Sequence, residues 1–361
     1  MNRVKLAAMQ LGFRAGLFRL VQRRVRRHQA VVLTFHRFSG DGQGHPDGMP
    51  ISRFAEFMAY LTRRCRVVSL HTLTDELRRG VVQPFTAAVT VDDGYHEVFT
   101  LAAPVLKAYR VPASFFVISD FVDGRLWPWI DRLSFVFDRV PHQRLEFRHR
   151  GSLHVLELGG DEGRRRAREQ WLDYAKRLSV AERDELLGAI AEASGIEIPA
   201  TAPAQYRAVS WTELRALAAE GFDVGAHTRT HPILSRVGPE QLRAEVEGCK
   251  EQMEERLGFR VRHFAYPNGR REDYTAEAVM AVARAGYATA VTTIFGGNTP
   301  ATPPLELRRV AGDPANPANL AHFARYLSGF DELRMRTGLR PDRMPARSWP
   351  AERAAPATGD E

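Results

Sequence analysis

The fold of this chain is decided by residues 87–94, which read Ala-Ala-Val-Thr-Val-Asp-Asp-Gly. An apolar run that stops on two carboxylates and a glycine predicts a buried strand that ends in a turn. Neighbouring side chains of a strand point to opposite faces, so Asp92 and Asp93 can share one site only where the strand gives way to its loop. A structural alternative is a turn or helix cap, because helical periodicity follows from Glu97 to Tyr109.

A second polar cluster, residues 227–231, reads His-Thr-Arg-Thr-His and directly follows the apolar-tending run 222–226. Two histidines four residues apart can face the same way on a turn of helix, as a pair of metal ligands must. Two imidazoles and one carboxylate leave an open position, which suits Zn²⁺ or another divalent ion that holds a water. The second aspartate is then available as a base toward that water. At this point the pattern does not rank Asp92 and Asp93.

Three motifs of the chain resemble the first three motifs of the polysaccharide deacetylases, the carbohydrate esterases with a NodB-homology domain. The motifs are Thr90–Gly94, His227–His231 and Phe264–Gly269. Their order and wide spacing also match the family, and the resemblance covers roughly residues 30–310. It implies that Asp93, His227 and His231 bind a divalent metal ion, with Zn²⁺ preferred, and that Asp92 is the catalytic base.

Strand-like runs alternate with helical periodicity along the chain. Val31–Phe35 predicts the first strand and Ala113–Ile118 another, with helical stretches such as Arg53–Arg64 between them. This alternation indicates a parallel sheet or barrel, in which the chemistry gathers at the carboxyl ends of the strands. Together with the resemblance it predicts an α/β fold over residues 29–335, a distorted (β/α) barrel of about seven strands of the NodB-homology type with a mostly helical insertion.

The resemblance also implies roles for His36 and for the third motif. In some members of the family a histidine at an early strand end replaces the late Leu-x-His motif that supplies the general acid, and His36 stands at such an end. The Pro-Asn-Gly turn is expected to offer the backbone N–H of Asn268 to the developing oxyanion. Tyr266 and Pro267 of the same motif are expected to contact the substrate.

One position departs from the family pattern. The family commonly has an arginine, paired with the catalytic aspartate, where this chain has Ala265. Arg308 and Arg309, at the end of a strand-like segment, are candidates to replace it, and a surface ion pair is the alternative reading of both. The chain also has no convincing late Leu-x-His motif, because His322 stands in a helix-like context. These two departures leave open a non-catalytic carbohydrate-binding barrel.

Between about residues 121 and 206 the strand-helix alternation lapses, which predicts an insertion over the rim of the site. Trp127 and Trp129 lie in this segment and could stack on sugar rings as substrate-binding residues. The alternative is that these rings form the small core of the insertion.

Positive charge is concentrated at the N-terminus. Residues 1–28 hold eight of the 51 Lys and Arg and no acid, so the rest of the chain is neutral. Helical projection gathers Arg19, Arg23, Arg26 and Arg27 on one side, which predicts a basic amphipathic helix in peripheral contact with an anionic membrane. A helix packed on the domain is the alternative. Nucleic-acid binding is disfavoured because the body lacks a basic surplus.

The remaining features bear on location. Cys65 and Cys249 are too few for a disulfide framework and fit a reducing compartment, so we expect a cytoplasmic protein, peripheral on the inner membrane face. Arginines interrupt the apolar residues of the N-terminus, which argues against a signal peptide or a membrane span. Residues 336–361 are rich in Pro, Ala, Arg and Asp and are predicted to be a disordered tail.

The sequence therefore predicts a metal-dependent hydrolase that removes N-acetyl groups from the amino sugars of an exopolysaccharide or its lipid-linked precursor. Its expected partner is an N-acetylated glycan. One alternative is a deformylase or deacetylase of a lipid-linked monosaccharide, and another is the non-catalytic carbohydrate-binding barrel.

Overall fold

Short strands and helices alternate through most of the chain. The computed structural model describes residues 3–41, 45, 47–312 and 319–336. The strands of these residues are β1 (Val31–Phe35), β2 (Phe38–Ser39), β3 (Met49–Pro50), β4 (Arg66–Val67), β5 (Thr86–Val91), β6 (Ala113–Val117), β7 (Arg144–His149), β8 (Ser152–Glu157), β9 (Asp223–Ala226), β10 (His263–Ala265), β11 (Thr289–Phe295) and β12 (Leu307–Ala311).

The α-helices of the described residues are mostly short. They are α1 (Arg3–Arg14), α2 (Leu17–Val25), α3 (Ile51–Arg64), α4 (Leu70–Arg78), α5 (Ala103–Ala108), α6 (Ser119–Val122), α7 (Trp129–Arg139), α8 (Gly160–Ala175), α9 (Val180–Ser194), α10 (Trp211–Ala219), α11 (Pro239–Arg243), α12 (Cys249–Leu257), α13 (Ala276–Arg284), α14 (Leu320–Ser328) and α15 (Phe330–Arg336). Two π-helical turns, Val98–Ala102 and Ala244–Gly248, precede α5 and α12. None of the described helices is long and apolar enough to cross a membrane.

Seven parallel strands close into a barrel. Their order is β1, β12, β11, β10, β9, β6 and β5, and β5 pairs again with β1. The short strand β4 adds to the start of β5 outside this ring. Closure leaves no open edge on the seven strands, and helices cover their outer faces. The predicted barrel of about seven strands is therefore confirmed.

The barrel strands alternate between a helix-facing and an interior side. In β5, Val89 and Val91 belong to the core between strands and helices, whereas Ala88 belongs to the cluster inside the barrel. Thr90 and Asp92 stand two and four residues after Ala88, so their side chains point to the same inward face. The strand thus carries Asp92 toward the barrel axis at its carboxyl end.

The segment 121–206 lies between β6 and β9 and builds its own core. Helices α7, α8 and α9 pack against the antiparallel hairpin of β7 and β8. Residues of this core include Trp129, Leu133, Phe147, Trp171 and Leu187. The insertion is therefore mostly helical, with one hairpin.

The N-terminal segment forms two helices, which differs from the single helix expected over residues 1–28. Gly16, with a φ of 78°, separates α1 from α2 and allows the chain to turn. Phe18 and Val21 are buried, and the ring of Phe18 packs edge-on against Phe330 with the centroids 5.6 Å apart. One face of the helix pair is thus packed on the C-terminal helices.

Arg26 departs from the predicted basic face. Its side chain is only 1% exposed, and it forms an ion pair with Glu332. Nε of Arg26 also donates to the carbonyl oxygen of Leu327 over 3.0 Å. These partners compensate the burial of the charge, so Arg26 anchors the end of α2 to α14 and α15. The predicted tail, residues 336–361, lies outside the described residues except for Arg336, the last residue of α15.

Candidate active site

Asp93, His227 and His231 come together at the carboxyl ends of β5 and β9. Their ligand atoms all lie within 4.8 Å of one another. Oδ1 of Asp93 is 3.5 Å from Nε2 of His227 and 3.7 Å from Nε2 of His231. Nδ1 of His227 lies 2.7 Å from the carbonyl oxygen of Ala265, so its N–H donates there and the lone pair of Nε2 faces Asp93. This is the usual support of a metal-ligating imidazole, and the three residues fit a divalent ion.

The charges of these three residues also suit a metal site. Burial alone raises the pKa of Asp93, but the adjacent imidazoles of His227 and His231 outweigh burial and lower it below the usual value. Burial, followed by the charge of His227, lowers the pKa of His231 to about 3. At neutral pH the site therefore presents an ionised carboxylate and a neutral His231, the forms in which these groups bind metals.

Asp92 faces the barrel interior and pairs with Arg309 of β12. Nη1 of Arg309 donates to Oδ1 of Asp92 over 2.8 Å, and Nη2 lies 2.7 Å from Oδ2. Nη1 of Arg309 also lies 3.2 Å from the hydroxyl of Thr90, and Nε donates to the carbonyl oxygen of Thr292 over 2.6 Å. Both charged side chains are almost fully buried. The ion pair beside the three ligand atoms thus has one hydrogen bond, from Nη1, and a second close contact at Nη2.

This pair sets the protonation of Asp92. Burial alone raises the pKa of the carboxyl group, but the charge of Arg309, followed by that of His227, outweighs burial and lowers the pKa below its usual value. Asp92 is therefore ionised at neutral pH and able to accept a proton.

Arg308 does not reach the site. Its side chain is exposed, whereas Arg309 on the next position is buried. The reason is strand alternation, because Leu307 and Arg309 share the inward face of β12 and Arg308 points outward. Of the two candidates, the structure brings only Arg309 to Asp92.

Four non-glycine residues of the site have a positive φ. They are Asp93 at 75°, Thr228 at 65°, His231 at 58° and Asn268 at 56°. Positive φ at Asp93 turns its side chain away from the inward direction of Asp92 and toward the histidines. The two histidines lie on a loop, which differs from the helical turn expected from their spacing. The hydroxyl of Thr228 accepts the N–H of His231 over 3.0 Å and stabilises this loop.

Glu245 supports the histidine loop and was missed by the sequence analysis. Its carboxylate accepts the N–H groups of Arg229 and Thr230 over 2.8 and 2.9 Å, and the hydroxyl of Thr230. The side chain is buried and lies in the π-helical turn before α12. A signal for it exists in the sequence, because Glu245 lies beside Leu242 and Cys249 on the apolar stripe of this helix.

His36 and Asn268 lie at the same end of the barrel. His36 directly follows β1, is half-buried, and is close enough for its charge to lower the pKa of both Asp92 and Asp93. Asn268 follows β10, and its backbone N–H has no acceptor among the described residues. The side-chain Nδ2 of Asn268 is also buried without a partner in that part of the chain. The turn therefore carries available N–H donors.

The aromatic residues expected to contact substrate are occupied elsewhere. Trp127 and Trp129 are 6% and 5% exposed, because they pack inside the insertion against residues such as Phe135 and Leu133. Neither ring offers a free face for stacking on a sugar, which corrects that expectation.

The third motif requires a similar correction. The Tyr266 side chain is fully buried, stacks on Tyr274 at 4.4 Å between ring centroids, and donates its hydroxyl to the carbonyl oxygen of Leu305. Pro267 is also buried, and its carbonyl accepts the N–H of Gly269 over 2.6 Å. These side chains shape the turn, and substrate contact from them is limited to the backbone.

A buried polar network joins the insertion to the site. The Tyr95 hydroxyl, two residues after Asp93, donates to Asp131 of α7 over 2.7 Å. Nη1 of Arg37 lies 3.4 Å from the same carboxylate, and its guanidinium carbon is 3.9 Å from the centre of the Tyr95 ring. Burial raises the pKa of Asp131 to about 7 against the opposing charge of Arg37. The insertion thus contacts the loops after both β1 and β5.

Comparison with known proteins gives one family. The sequence profile of the family described as Polysaccharide deacetylase matches residues 79–155 and 164–290, together more than half of the 361 residues. The matched ranges contain Asp92, Asp93, His227, His231 and Asn268. No curated protein matches the chain.

Solved structures share the fold at low sequence identity. IcaB from Ammonifex degensii is 22% identical, with a TM-score of 0.53 over 83% of this chain and 99% of that one. The deacetylase PplD of Streptococcus pyogenes, in complex with acetate, is 16% identical, with a TM-score of 0.51 over 78% and 92%. A polysaccharide deacetylase from Bacillus cereus is 19% identical, with a TM-score of 0.52 over 83% and 69%. At these identities the likeness shows the fold.

The Glu245 contacts predict an effect on metal affinity. Glu245→Leu removes the carboxylate oxygen that accepts both backbone N–H groups of the histidine loop. We expect Zn²⁺ to bind about 10–100-fold more weakly, as measured by competition with a chromophoric chelator.

The matched control is Glu247→Leu on the same helical turn, whose carboxylate pairs only with Arg243 among the described residues. It should bind Zn²⁺ like the unmodified chain. Thermal unfolding of the apo forms checks that both variants fold. Equal affinity for Zn²⁺ in both variants would show that Glu245 does not support the ligands.

Proposed function

The chain belongs to the polysaccharide deacetylase family and is a hydrolase of that family, and from this premise we propose that it removes N-acetyl groups from amino sugars with a bound divalent metal ion. The proposed substrate is an exopolysaccharide or its lipid-linked precursor. The observation that carries the proposal is that the Asp92–Arg309 ion pair lies directly beside the ligand atoms of Asp93, His227 and His231.

We assign the metal to Asp93, His227 and His231, with Zn²⁺ as the expected ion. When bound, a divalent ion would polarise the acetyl carbonyl and lower the pKa of a water molecule. The protein contributes one anionic and two neutral ligands, as the pKa of His231 and the hydrogen bond of His227 favour. Three protein ligands leave an open position, as catalytic metal sites require.

Asp92 is the proposed general base. Its ionised carboxylate takes a proton from the attacking water, and Arg309 keeps that carboxylate ionised before each turnover. Because Arg309 donates to Asp92 from fixed positions, it also orients the carboxylate oxygens.

Asn268 and His36 complete the proposed chemistry. The backbone N–H of Asn268 donates to the carbonyl oxygen as negative charge develops on it. His36 gives a proton to the departing amine, a role that its position at the end of β1 beside both aspartates supports. The non-catalytic alternative arose from the missing arginine, and Arg309 supplies that charge from another strand.

The role of Asp92 as general base can be tested by acetate release. The metal-loaded protein should release acetate from N-acetylglucosamine oligomers, and Asp92→Asn should reduce kcat by about 10²–10⁴-fold because the amide cannot accept the proton. Acetate is quantified by a coupled assay or by proton NMR.

Asp161→Asn is the control, because that aspartate lies on the insertion surface with its side chain 99% exposed. It should leave the rate unchanged, and metal content should be equal in all three proteins. Acetate release that persists in Asp92→Asn would refute the base assignment. No release by any of them would favour the lipid-linked or formylated sugars as substrates.

A second prediction concerns the pH dependence of the reaction. Arg309→Met removes the charge that lowers the pKa of Asp92, so burial then raises that pKa. The base becomes protonated at a higher pH, and the acidic limb of kcat/KM should move up by about 1–3 pH units.

Arg308→Met is the matched control, because it removes the neighbouring exposed arginine. Its pH profile should equal that of the unmodified protein. Arg309→Lys keeps a charge near Asp92 and should shift the limb less than Arg309→Met does. An unchanged acidic limb in Arg309→Met would contradict the pairing.

A lipid-linked substrate is supported by the outer face of α1 and α2. Leu11 and Leu20 are 70% and 68% exposed, and Arg19, Arg23 and Arg24 are also exposed. Exposed leucines beside arginines are suited to the interface of an anionic membrane. We propose peripheral contact with the inner membrane face through these helices.

The state of the cysteines agrees with the proposed cytoplasmic location. Cys65 and Cys249 are both free, as expected in a reducing compartment. The same contact favours the second candidate function, deacetylation or deformylation of a lipid-linked monosaccharide, because such a substrate is held at the membrane surface.

Vesicle binding tests this surface. Leu11→Ser/Leu20→Ser removes apolar side chains that the fold does not bury, so binding to phosphatidylglycerol vesicles should weaken by about tenfold or more in a sedimentation assay. The matched control is Leu153→Ser/Val155→Ser, which removes two exposed apolar residues from β8 of the insertion. Equal binding by both double variants would refute the membrane contact.

A further inference from the structure

A cavity lies at the opposite end of the barrel from the candidate active site. Its volume is about 670 Å³. Asp223 and His263, which line it, are the first residues of β9 and β10, whereas the candidate active site follows the carboxyl ends of these strands. The remaining wall comes from α4, α10 and the segment before β10. The function proposed above makes no use of this cavity.

His263 is the most unusual residue of this cavity. Its side chain is 2% exposed, and both ring nitrogens lack a hydrogen-bond partner among the described residues. Burial, followed by the charges of His71 and Arg262, lowers the pKa of His263 to about 3, so the ring is neutral and has one donor and one acceptor. Leaving such groups unpaired in the protein interior is unfavourable. A buried imidazole with two unused positions that lines a cavity points to a ligand.

The charge of the cavity indicates the kind of ligand. Arg215, Arg260 and Arg262 line it, and Asp223 is the only acidic residue of the lining. Nη1 of Arg215 is held by the carbonyl oxygen of Arg256 over 2.7 Å. Arg260 and Arg262 are exposed and have no ion-pair partner within the described ranges.

Guanidinium groups bind phosphate with paired N–H donors, and an excess of them over carboxylates attracts anions. The cavity also has room for more than a simple ion, since a volume of about 670 Å³ lies in the range of small-molecule sites. Its apolar side, which includes Phe222, Val224 and Leu257, can cover a non-polar part of a ligand.

We propose that this cavity binds a phosphate-bearing small molecule, with Arg260 and Arg262 on the phosphate and His263 in contact with the ligand from the buried side. The phosphate belongs to a soluble metabolite or to a lipid headgroup, and the chemistry of recognition is the same for both. Asp223 can accept a hydrogen bond from a ligand hydroxyl, since its one side-chain partner among the described residues is Ser114 at 3.2 Å.

Titration with inorganic phosphate tests the proposal on the full chain. Binding is measured by calorimetry at constant ionic strength. Arg260→Ser/Arg262→Ser should weaken binding by about tenfold or more, because both phosphate donors are lost. These side chains are exposed, so the variant is expected to fold. Arg148→Ser/Arg284→Ser removes the same charge from exposed positions outside the cavity and should leave the affinity unchanged.

Two further variants locate the bound phosphate. His263→Phe keeps a ring of similar size but removes both ring nitrogens. It should also weaken phosphate binding, because the proposal places the imidazole in contact with the ligand. Asp93→Ala tests whether phosphate binds at the candidate metal site instead. Loss of binding in Asp93→Ala with full binding in Arg260→Ser/Arg262→Ser would overturn the proposal. Equal weakening in both arginine double variants, or no saturable binding by the unmodified chain, would also overturn it.

The source of the phosphate is distinguished by two more probes. Glucose 6-phosphate represents a soluble ligand, and vesicles with phosphatidic acid, compared with phosphatidylcholine alone, represent a headgroup. The probe that binds the unmodified chain more tightly than inorganic phosphate identifies the source of the phosphate. Its additional affinity should be absent in Arg260→Ser/Arg262→Ser. Neither result depends on deacetylation, so this proposal can fail while the proposed function stands.

Discussion

The buried ion pair of Asp92 and Arg309 is the constraint on which the candidate site depends. Two charges inside a barrel are costly to desolvate, and they are tolerated only where each satisfies the other with good geometry. That geometry requires closure, because β12 reaches the neighbourhood of β5 only through β1, which pairs with both strands. Without the pairing of β1 with β5, β1 would be an edge strand and β12 would lie at the far end of the sheet from β5. The ion pair that lowers the pKa of Asp92 therefore depends on closure of the barrel.

The loops above this pair are held in conformations that the backbone disfavours. Positive φ at Asp93, Thr228, His231 and Asn268 costs of order 1–3 kcal/mol for each residue. Such strain persists only where surrounding contacts determine the loop. Here the buried carboxylate of Glu245 accepts two backbone N–H groups of the histidine loop. These contacts hold the loop in the conformation that brings the three ligand atoms within 4.8 Å of one another.

Much of this arrangement follows from the sequence. Apolar runs that end in polar residues predicted parallel strands, and the motifs predicted which strand ends would meet. The choice between Arg308 and Arg309 did not follow, because it depends on which face of β12 points inward, and register is a property of the closed barrel. The tryptophans of the insertion could not be assigned for a related reason. An aromatic ring serves a small core or a sugar site equally well, and only tertiary packing decides.

The insertion contributes to the site through charge and hydrogen bonds instead of aromatic stacking. Arg37 follows the proposed acid His36, Tyr95 comes two residues after the proposed metal ligand Asp93, and Asp131 of the insertion contacts both Arg37 and Tyr95. A shift of α7 would leave the buried Tyr95 hydroxyl and Asp131 without partners, whereas Arg37 would keep only Glu97 from outside the insertion. The insertion is therefore fixed to the two loops that carry the chemistry. The network thus ties the insertion to the residues that follow His36 and Asp93.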